Sequence, residues 1–144
     1  MKYVKEILKK KGNEVWTVSP NDIVFTALQI MAEKNVGALL VMDNERIVGI
    51  ISERDYTRKV VLREKTSKDT PVSEIMTSNV LYASPDQTLE ECLALMSDKR
   101  VRHLPVFEDE KLTGIISLGD VGEAIIDDHK NYINQIEQYV YGKF

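Results

Sequence analysis

Apolar residues follow two different spacings along this chain, and their order predicts a mixed α and β unit. Val24, Leu28 and Met31 lie three or four residues apart, a spacing that predicts one face of an amphipathic helix. Residues 36–42 are almost continuously apolar, which is typical of a strand that is covered on both faces. A short polar turn separates this run from residues 46–52, so the two runs predict a β-hairpin.

Two further elements complete the first predicted unit, a short strand at residues 15–18 and a helix that begins at Glu53. The unit therefore has the order strand, helix, strand, strand, helix. A shift of 65 residues places the same pattern on the second half of the chain, and it carries Gly-Ile-Ile-Ser-x-x-Asp from residues 49–55 to residues 114–120. The chain is thus predicted to be a tandem repeat.

These patterns divide the chain into four predicted segments. Residues 1–62 hold the first repeat with an N-terminal entry helix, and residues 72–126 hold the second repeat. Residues 63–71 are polar and lack periodicity, which predicts a linker, and residues 127–144 form a helical extension. Each repeat alone is close to the size at which a single core is marginal, so residues 1–144 are expected to form one module.

The last predicted helix carries an apolar stripe beyond the point where its counterpart in the first repeat ends. A long stripe on a terminal helix covers either the core or a partner subunit, and a homodimer contact is the favoured interpretation here. The members of the stripe are Val121, Ile125, Tyr132, Ile136, Tyr139 and Val140.

The composition argues against some classes of binding partner and favours one cellular compartment. A net charge of −4 and a pI near 5.3 argue against general binding to nucleic acid or to acidic membranes. No apolar run approaches the length of a membrane span. Cys92 is the only cysteine, which excludes an intramolecular disulfide and favours a reducing, cytoplasmic setting. Its place on a helix stripe predicts a small buried side chain.

Three lysines, Lys9 to Lys11, lie at the end of the predicted entry helix. A lysine run is compatible with phosphate binding. The favoured interpretation is a solvated helix end, where the helix dipole stabilises cations.

The chain resembles the tandem cystathionine-beta-synthase domain pair, also called the CBS pair or Bateman module. The resemblance rests on the doubled Gly-Ile-Ile-Ser-x-x-Asp, on Val-Gly-Ala-Leu at residues 36–39 and on His-Leu-Pro-Val at residues 103–106. It is closest to the stand-alone CBS-pair proteins of bacteria and plant mitochondria, which similarly carry Glu-Arg-Asp-Tyr, here residues 53–56.

The resemblance implies an α+β fold in which two β-α-β-β-α repeats pack sheet to sheet with pseudo-two-fold symmetry. It also implies clefts between the repeats that bind adenine nucleotides or related adenosyl ligands, such as AMP, ATP, ADP or NAD. Modules of this family usually dimerise, which agrees with the homodimer expected from the last helix.

The chemistry of the repeated motif suits such a ligand. A carboxylate in the first turn of a helix can accept both hydroxyls of a ribose in charge-assisted hydrogen bonds, and Asp55 and Asp120 are placed to do so. Ser52 and Ser117 precede them by three residues, where a hydroxyl and free backbone N–H groups can meet a phosphate. The alternative interpretation is an ordinary helix N-cap made by Ser and Asp.

The hairpin strands supply the other candidate ligand-binding residues. By resemblance, their backbone lines the adenine and basic side chains reach phosphates, with Arg102 permanently charged and His103 charged only when protonated. Thr17 and Tyr82, at matching strand ends, are expected to flank the bases, and a tyrosine at the edge of the core is an equally favoured interpretation of Tyr82. The remaining candidates are Val36, Gly37, Ala38, Leu39, Leu104 and Pro105.

The two predicted clefts are not equivalent, because Arg54 in the first repeat corresponds to Gly119 in the second. The first cleft, with Arg58 or Lys59 nearby, is expected to suit a polyphosphate or dinucleotide. The second is expected to suit a smaller ligand such as AMP.

The sequence therefore predicts a regulatory adenosyl-ligand sensor of energy or redox state, which acts on a separate, unidentified protein. One alternative is a protein-interaction and dimerisation module with vestigial clefts. A hydrolytic enzyme is a weaker alternative, because neither serine lies in a Gly-x-Ser-x-Gly elbow and only His103 and His129 could act as a histidine base. No catalytic residue, catalytic cofactor or metal site is expected, since no metal-ligand spacing of Cys and His occurs.

Overall fold

The computed structural model of the chain describes the backbone of residues 1–141 and the side chains of residues 1–135. The elements in chain order are α1 (Val4–Lys11), β1 (Thr17–Val18), α2 (Val24–Lys34), β2 (Ala38–Asp43), β3 (Arg46–Ser52), α3 (Glu53–Lys59), α4 (Val72–Ile75), α5 (Leu89–Lys99), β4 (His103–Glu108), β5 (Lys111–Ser117) and α6 (Leu118–Tyr141). A 3₁₀ turn at Val61–Arg63 follows α3. The predicted mixed α+β class and the repeated order of elements are confirmed.

The chain forms two compact units. The first-repeat unit comprises residues 14–81, and the second-repeat unit comprises residues 1–13 with the residues from Tyr82 onward. The entry helix α1 therefore packs in the second-repeat unit, whereas residues 1–62 were expected to stay together. The boundary of the first sequence repeat and the boundary of its compact unit therefore differ at the N-terminus.

The first-repeat unit contains a three-stranded sheet in the order β1-β2-β3, with β1 parallel to β2 and β2 antiparallel to β3. Ala38 to Val41 in β2 are buried on both faces, as their continuous apolar run predicts. The helices α2 and α4 add their apolar faces to the same core. Its buried members are Val18, Val24, Ala27, Met31, Leu39, Val41, Ile51, Val60, Val72 and Ile75.

The second-repeat unit contains the antiparallel pair β4-β5, and a single parallel bridge from Ala83 to Val106 takes the place that β1 has in the other unit. Its helices α1, α5 and α6 cover the strands. Cys92 on α5 is buried and free, so the predicted small buried side chain is confirmed. The other buried apolar residues are Val4, Ile7, Leu8, Ala83, Leu89, Met96, Leu104, Val106, Ile116, Val121 and Ala124.

Both hairpins close with two-residue loops of the same geometry. Asn44 and Glu45 have φ values of 49° and 68°, and Asp109 and Glu110 have values of 50° and 64°. Positive φ at both central residues is typical of a type I′ turn, whose twist matches the right-handed twist of the two paired strands. The predicted tight polar turns are therefore confirmed in both repeats.

The first glycine of each repeated motif lies where another segment comes close to the strand. A Cβ on Gly49 would lie 2.7 Å from Met76 Sδ and 2.9 Å from the carbonyl oxygen of Thr77. A Cβ on Gly114 would lie 2.7 Å from Leu8 Cδ2 on α1. The glycines are thus explained by close packing of the segments before each repeat.

Residues 63–71, predicted as a linker, are tied to the first-repeat unit. Val24 N donates to the carbonyl of Thr70 at 2.8 Å, and Phe25 N donates to the carbonyl of Ser67 at 3.0 Å. Thr70 is buried, and its hydroxyl donates to the carbonyl of Thr66 at 2.7 Å. This segment therefore caps the start of α2, which lacks a side-chain cap of its own.

Among the described side chains of α6, which end at residue 135, the buried ones lie near the start of the helix. Val121 and Ala124 are buried, whereas Ile126, Tyr132 and Ile133 are 55%, 65% and 53% exposed. The side chains of Ile136, Tyr139 and Val140, which complete the predicted stripe, lie outside the described residues. No helix in the described part of the chain is long and apolar enough to cross a membrane.

Replacing the packed glycines should destabilise the protein to different degrees. We expect Gly49→Ala to lower the free energy of unfolding by about 1–3 kcal/mol, because its Cβ meets a backbone carbonyl that cannot move freely. Gly114→Ala should cost less, because only the tip of the Leu8 side chain must shift. Urea unfolding of both variants measures the difference.

Gly122 is the matched control, because it lies inside α6 and a Cβ there meets nothing within 4 Å. Gly122→Ala should raise the free energy of unfolding by about 0.5–1 kcal/mol. Equal stability of Gly49→Ala and the wild-type protein would contradict the packing explanation.

Candidate functional site

Ser52 and Asp55 form a reciprocal cap where β3 turns into α3, here called the first corner. Asp55 N donates to Ser52 Oγ at 3.2 Å, and Ser52 N donates to Asp55 Oδ2 at 3.0 Å. The Ser52 hydroxyl also donates to the same Oδ2 at 3.1 Å. This arrangement satisfies backbone donors that the first turn of a helix leaves without partners.

Ser117 and Asp120 repeat this cap where β5 turns into α6, here called the second corner. Asp120 N donates to Ser117 Oγ at 3.0 Å, and Ser117 N donates to Asp120 Oδ2 at 2.8 Å. The ordinary N-cap, which the sequence left as an alternative, is therefore present in both repeats.

Each corner carboxylate also pairs with a lysine. Lys59 Nζ lies 3.1 Å from Asp55 Oδ1 and donates to the carbonyl of Ile75 on α4 at 2.9 Å. Lys11 Nζ lies 2.7 Å from Asp120 Oδ2 and donates to the carbonyl of Ile115 at 3.0 Å. A cation therefore accompanies both carboxylates.

The two lysines do not correspond in the sequence repeat. Lys59 lies on α3, one helical turn after the aspartate that it pairs with, whereas Lys11 is the last residue of α1. The solvated helix end predicted for Lys9 to Lys11 is correct for Lys10, which is 61% exposed, but Lys11 reaches a predicted site residue. The i to i+4 spacing from Asp55 was a readable signal for Lys59, whereas no spacing links residue 11 to residue 120.

The start of β2 lies directly beside the first corner. Ala38 pairs with Ser52, and the carbonyl of Gly37 accepts from Glu53 N at 3.1 Å. The side chain of Leu39 belongs to the buried core, and Val36 packs against it. Gly37 and Ala38 are thus brought to the corner through their backbone.

The start of β4 has the same relation to the second corner. His103 pairs with Ser117, and the carbonyl of Arg102 accepts from Leu118 N at 2.8 Å. Arg102 is exposed and His103 is half-buried, whereas Leu104 and Pro105 are buried. The cationic strand end therefore adjoins the corner that Lys11 also reaches.

Thr17 and Tyr82 lie farther from the corners than the other candidates. Thr17 is paired with Leu40. Leu40 lies two residues along β2 from Ala38, so the Cα atoms of Leu40 and Ala38 are roughly 7 Å apart. The Tyr82 ring packs edge-on against Phe107 at 4.9 Å between centroids. Phe107 is four residues along β4 from His103, roughly 13 Å away, so Tyr82 does not join the second corner.

The residues that distinguish the two corners lie on α3 at the first corner and on α6 at the second. Arg54 is half-buried, its counterpart Gly119 is exposed, and Arg58 is exposed on α3. The charge contrast predicted from Arg54 and Gly119 is reduced because Lys11 supplies a cation at the second corner.

One cavity adjoins the second corner. It measures about 250 Å³, lies between α1 and α6, and includes Asp120 and Lys11 in its wall. Its remaining lining residues are Met1, Ile7, Lys10, Glu123, Ala124 and Asp127.

A second cavity, of about 560 Å³, lies in the first-repeat unit between α2 and α3. Val36 and Gly37 line it, but Ser52 and Asp55 do not. Its other lining residues are Leu28, Met31, Ala32, Asn35, Glu53, Tyr56 and Thr57. The cavity is therefore separate from the carboxylate of the first corner.

Burial, hydrogen bonds and neighbouring charges at the second corner shift the pKa values of Asp120 and His103. Burial raises the pKa of Asp120, but the hydrogen bonds from Lys11 and Ser117 outweigh burial and leave the pKa below its ordinary 3.8. Burial lowers the pKa of His103 below 6.5, and Lys11 lowers it further, against the opposing effect of Asp120. At neutral pH, Asp120 is thus ionised and His103 is neutral.

The residue types of a hydrolytic triad meet at this corner, because β4 sets His103 opposite Ser117 and Asp120 follows three residues later. Sequence spacing did not predict that proximity. Among the described residues, the His103 side chain donates no hydrogen bond to Ser117 or Asp120, and the Ser117 hydroxyl instead accepts from Asp120 N. The base-to-nucleophile contact of a triad is therefore not assembled.

The side chains of residues 1–135 include no group of three or more His, Cys, Asp or Glu that could hold a metal ion.

The lowered pKa of His103 predicts a pH dependence of stability. The unfolded chain binds a proton near pH 6.5 while folded His103 stays neutral, so the free energy of unfolding should fall as pH drops below 6.5. The fall should end once the pH passes below the folded pKa. Urea unfolding between pH 5 and about pH 8 measures this slope.

His103→Gln should flatten the slope near pH 6, whereas His129→Gln, at an exposed site on α6, should leave it unchanged. An identical slope in His103→Gln and the wild-type protein would contradict the assignment to His103.

Comparisons with known proteins agree with this architecture. The family model of the CBS domain matches the chain twice, over residues 4–62 and 72–127. The mitochondrial CBS domain-containing protein CBSX3 of Arabidopsis thaliana is 32% identical over 151 residues, which cover 98% of this chain and 73% of that protein.

Two solved structures are also similar to this chain. A protein with CBS domains from Burkholderia ambifaria has a TM-score of 0.84 and 51% identity, covering 88% of this chain and 95% of that one. The CBS domain pair of protein MJ0100, in complex with 5′-methylthioadenosine and S-adenosyl-L-methionine, has a TM-score of 0.77 and 26% identity, covering 88% of this chain and 97% of that one. This chain, which carries the domain twice, belongs to the CBS-domain family.

Proposed function

We propose that this protein is a regulatory module that binds adenosyl ligands through its two strand-to-helix corners. The observation that carries the proposal is the duplicated cap, in which each repeat places a half-buried carboxylate in the first turn of a helix. Both carboxylates retain acceptor capacity after capping, since each ionised carboxylate offers about four lone-pair sites.

The corner chemistry suits a nucleoside. A ribose presents two adjacent hydroxyl donors, and a carboxylate is the side chain that accepts both. The backbone of Gly37 and Ala38 adjoins Ser52 at the first corner, and that of Arg102 and His103 adjoins Ser117 at the second. A planar base can thus lie along the strand end while its ribose meets the aspartate.

An adenosyl group is the ligand class that we propose. The supporting observation is the bound 5′-methylthioadenosine and S-adenosyl-L-methionine in the similar CBS pair of protein MJ0100. AMP, ADP, ATP and NAD share that adenosyl group, so they form the natural panel for binding measurements.

The two corners should differ in the charge that they accept. At the first corner Lys59 is committed to Asp55. Arg54 and the exposed Arg58 lie on the same helix, and these two cations favour a polyphosphate or a dinucleotide. At the second corner Lys11 is already committed to Asp120 and His103 is neutral at pH 7. We propose that this corner takes a ligand with less charge, such as AMP.

The regulated protein is a separate chain in this proposal, and energy or redox state is the signal. The size of the response is limited by binding energy. A nearly complete switch needs about 5.5 kcal/mol of differential affinity, whereas a micromolar ligand has only about 8 kcal/mol in total. Partial shifts between states are therefore expected.

The free, buried thiol of Cys92 is compatible with the reducing, cytoplasmic setting that we propose.

A second candidate function is an interaction module whose corners bind no ligand. It is favoured by the observation that both carboxylates already have a lysine partner. In that case AMP, ADP, ATP, NAD and S-adenosylmethionine would all leave the unfolding temperature unchanged. A true ligand at 100 times its dissociation constant should add about 2.7 kcal/mol of stability.

Asp55→Asn and Asp120→Asn separate these two functions. Each variant keeps an acceptor for the cap but loses the charge, and a hydrogen bond to a charged group is worth about 1.5–3 kcal/mol. We therefore expect each variant to weaken one ligand by about ten- to a hundredfold in calorimetry.

Glu91→Gln is the matched control, because Thr88 and Glu91 form the same reciprocal cap at the start of α5 and neither residue is a candidate ligand-binding residue. It should leave every affinity unchanged. If neither aspartate variant weakens binding of any nucleotide, the proposed function is wrong.

We further propose that the exposed part of α6 between Ile126 and Ile133 mediates a homodimer. Ile126 and Ile133 lie seven residues apart on one face and are both more than half exposed, a spacing typical of helix pairing. The double variant Ile126→Lys and Ile133→Lys should convert the dimer to a monomer in sedimentation equilibrium.

The control is the double variant Asn131→Lys and Gln135→Lys, which adds the same charge on the opposite side of α6, since residues advance by about 100° each. It should remain dimeric. A monomeric wild-type protein at high concentration would refute the proposed dimer.

A further inference from the structure

The ion pair of Lys11 with Asp120 joins α1 to the second corner. Lys11 Nζ lies 2.7 Å from Asp120 Oδ2, and the Asp120 side chain is only 24% exposed. The same Nζ donates to the carbonyl of Ile115 in β5. The lysine is therefore held on two acceptors, and one of them is the atom that is proposed to bind ligand.

The acceptor capacity of Asp120 is already half used. Oδ2 accepts from Ser117 N at 2.8 Å and from Lys11 at 2.7 Å, and an oxygen of a carboxylate has about two lone-pair sites. Within the described residues, Oδ1 accepts no hydrogen bond. A ribose diol that spans both oxygens therefore needs one of the two donors on Oδ2 to leave.

Of those two donors, Lys11 is the one that can leave. The N–H of Ser117 belongs to the backbone at the start of α6, and its departure would open the cap. Lys11 has a flexible side chain that is 37% exposed, so water can replace its contact with the carboxylate.

We propose that Lys11 is an autoinhibitory competitor for Asp120, which a ribose must displace to occupy the second corner. This inference rests on the proposed adenosyl function and adds a specific cost to binding at one corner. It also makes α1 the element that responds, because Lys11 is its last residue and Gly12, with a φ of 98°, ends the helix directly afterwards.

The lysine at the first corner does not join a separate helix to the corner. Lys59 lies on the same helix as Asp55, so displacement of Lys59 frees a side chain without loosening a separate helix end. Its contact is with Oδ1, and Oδ2 is taken by the backbone and hydroxyl of Ser52. Lys59→Gln is therefore a matched control with the same loss of charge.

The test uses adenosine, which has a ribose diol and no charge, and calorimetry at pH 8, where His103 is neutral. Lys11→Gln should bind adenosine at the second corner about two- to fivefold more tightly than the wild-type protein, the range of a partly exposed ion pair. Both proteins also carry Asp55→Asn, which weakens binding at the first corner, so that calorimetry measures binding at the second corner.

Salt gives an independent readout. Higher ionic strength weakens the Lys11–Asp120 pair, so raising salt should strengthen adenosine binding to the wild-type second corner but not to Lys11→Gln. The ligand 2′,3′-dideoxyadenosine lacks both hydroxyls, so its affinity should not change with Lys11→Gln. Lys59→Gln should likewise leave adenosine binding at the second corner unchanged.

Hydrogen exchange reports on α1 directly. Gly12 N donates to the carbonyl of Leu8 at 2.7 Å, and adenosine should speed exchange of this last-turn amide in the wild-type protein. Lys11→Gln should show that faster exchange without ligand.

The outcomes separate the inference from the proposed function. If adenosine binding depends on Asp120 but has the same affinity in Lys11→Gln and wild type, the competition is refuted and the proposed function stands. If adenosine does not bind but AMP binds in an Asp120-dependent way with the same affinity in Lys11→Gln, the competition is refuted and the proposed function stands. If neither adenosine nor any nucleotide of the panel loses affinity in Asp120→Asn, both are refuted for this corner.

Discussion

The reciprocal cap of a serine and an aspartate three residues later is the interaction on which each repeat depends. It ends the hairpin strand and begins the next helix without leaving backbone donors unpaired. Because the turn is closed in one conformation, the direction of the following helix is set, and Val121 and Ala124 on α6 reach the core. The cap also holds a carboxylate beside the start of the neighbouring strand.

This arrangement gives one carboxylate two roles. The capping role uses Oδ2 of both Asp55 and Asp120, and the proposed ligand role needs the remaining lone pairs. A carboxylate that is only partly exposed is costly to leave unpaired, and a lysine neutralises each one. The cap and the proposed ligand contact thus use the same carboxylate, and the lysine partner is the group that a ligand is proposed to displace.

Much of the fold was predictable because its causes are local. Helical spacing in α2, the continuous apolar run of β2 and the polar hairpin turns are all determined within a few neighbouring residues. The Ser-x-x-Asp corners were predictable for the same reason, since capping spans three residues. The partners of Asp120 were not predictable, because Lys11 lies 109 residues away in the chain.

The sequence by itself determined two copies of one mixed α and β repeat, their hairpins, and the placement of a serine and an aspartate at each corner. Only the tertiary structure decided that α1 packs in the unit of the second repeat, that Tyr82 packs on Phe107 away from the corner, and that Lys11 pairs with Asp120. The physical reason is range. Caps and turns are closed by hydrogen bonds between near neighbours, whereas these contacts arise from burial of apolar faces, such as that of Leu8 against Gly114, between segments distant in the chain.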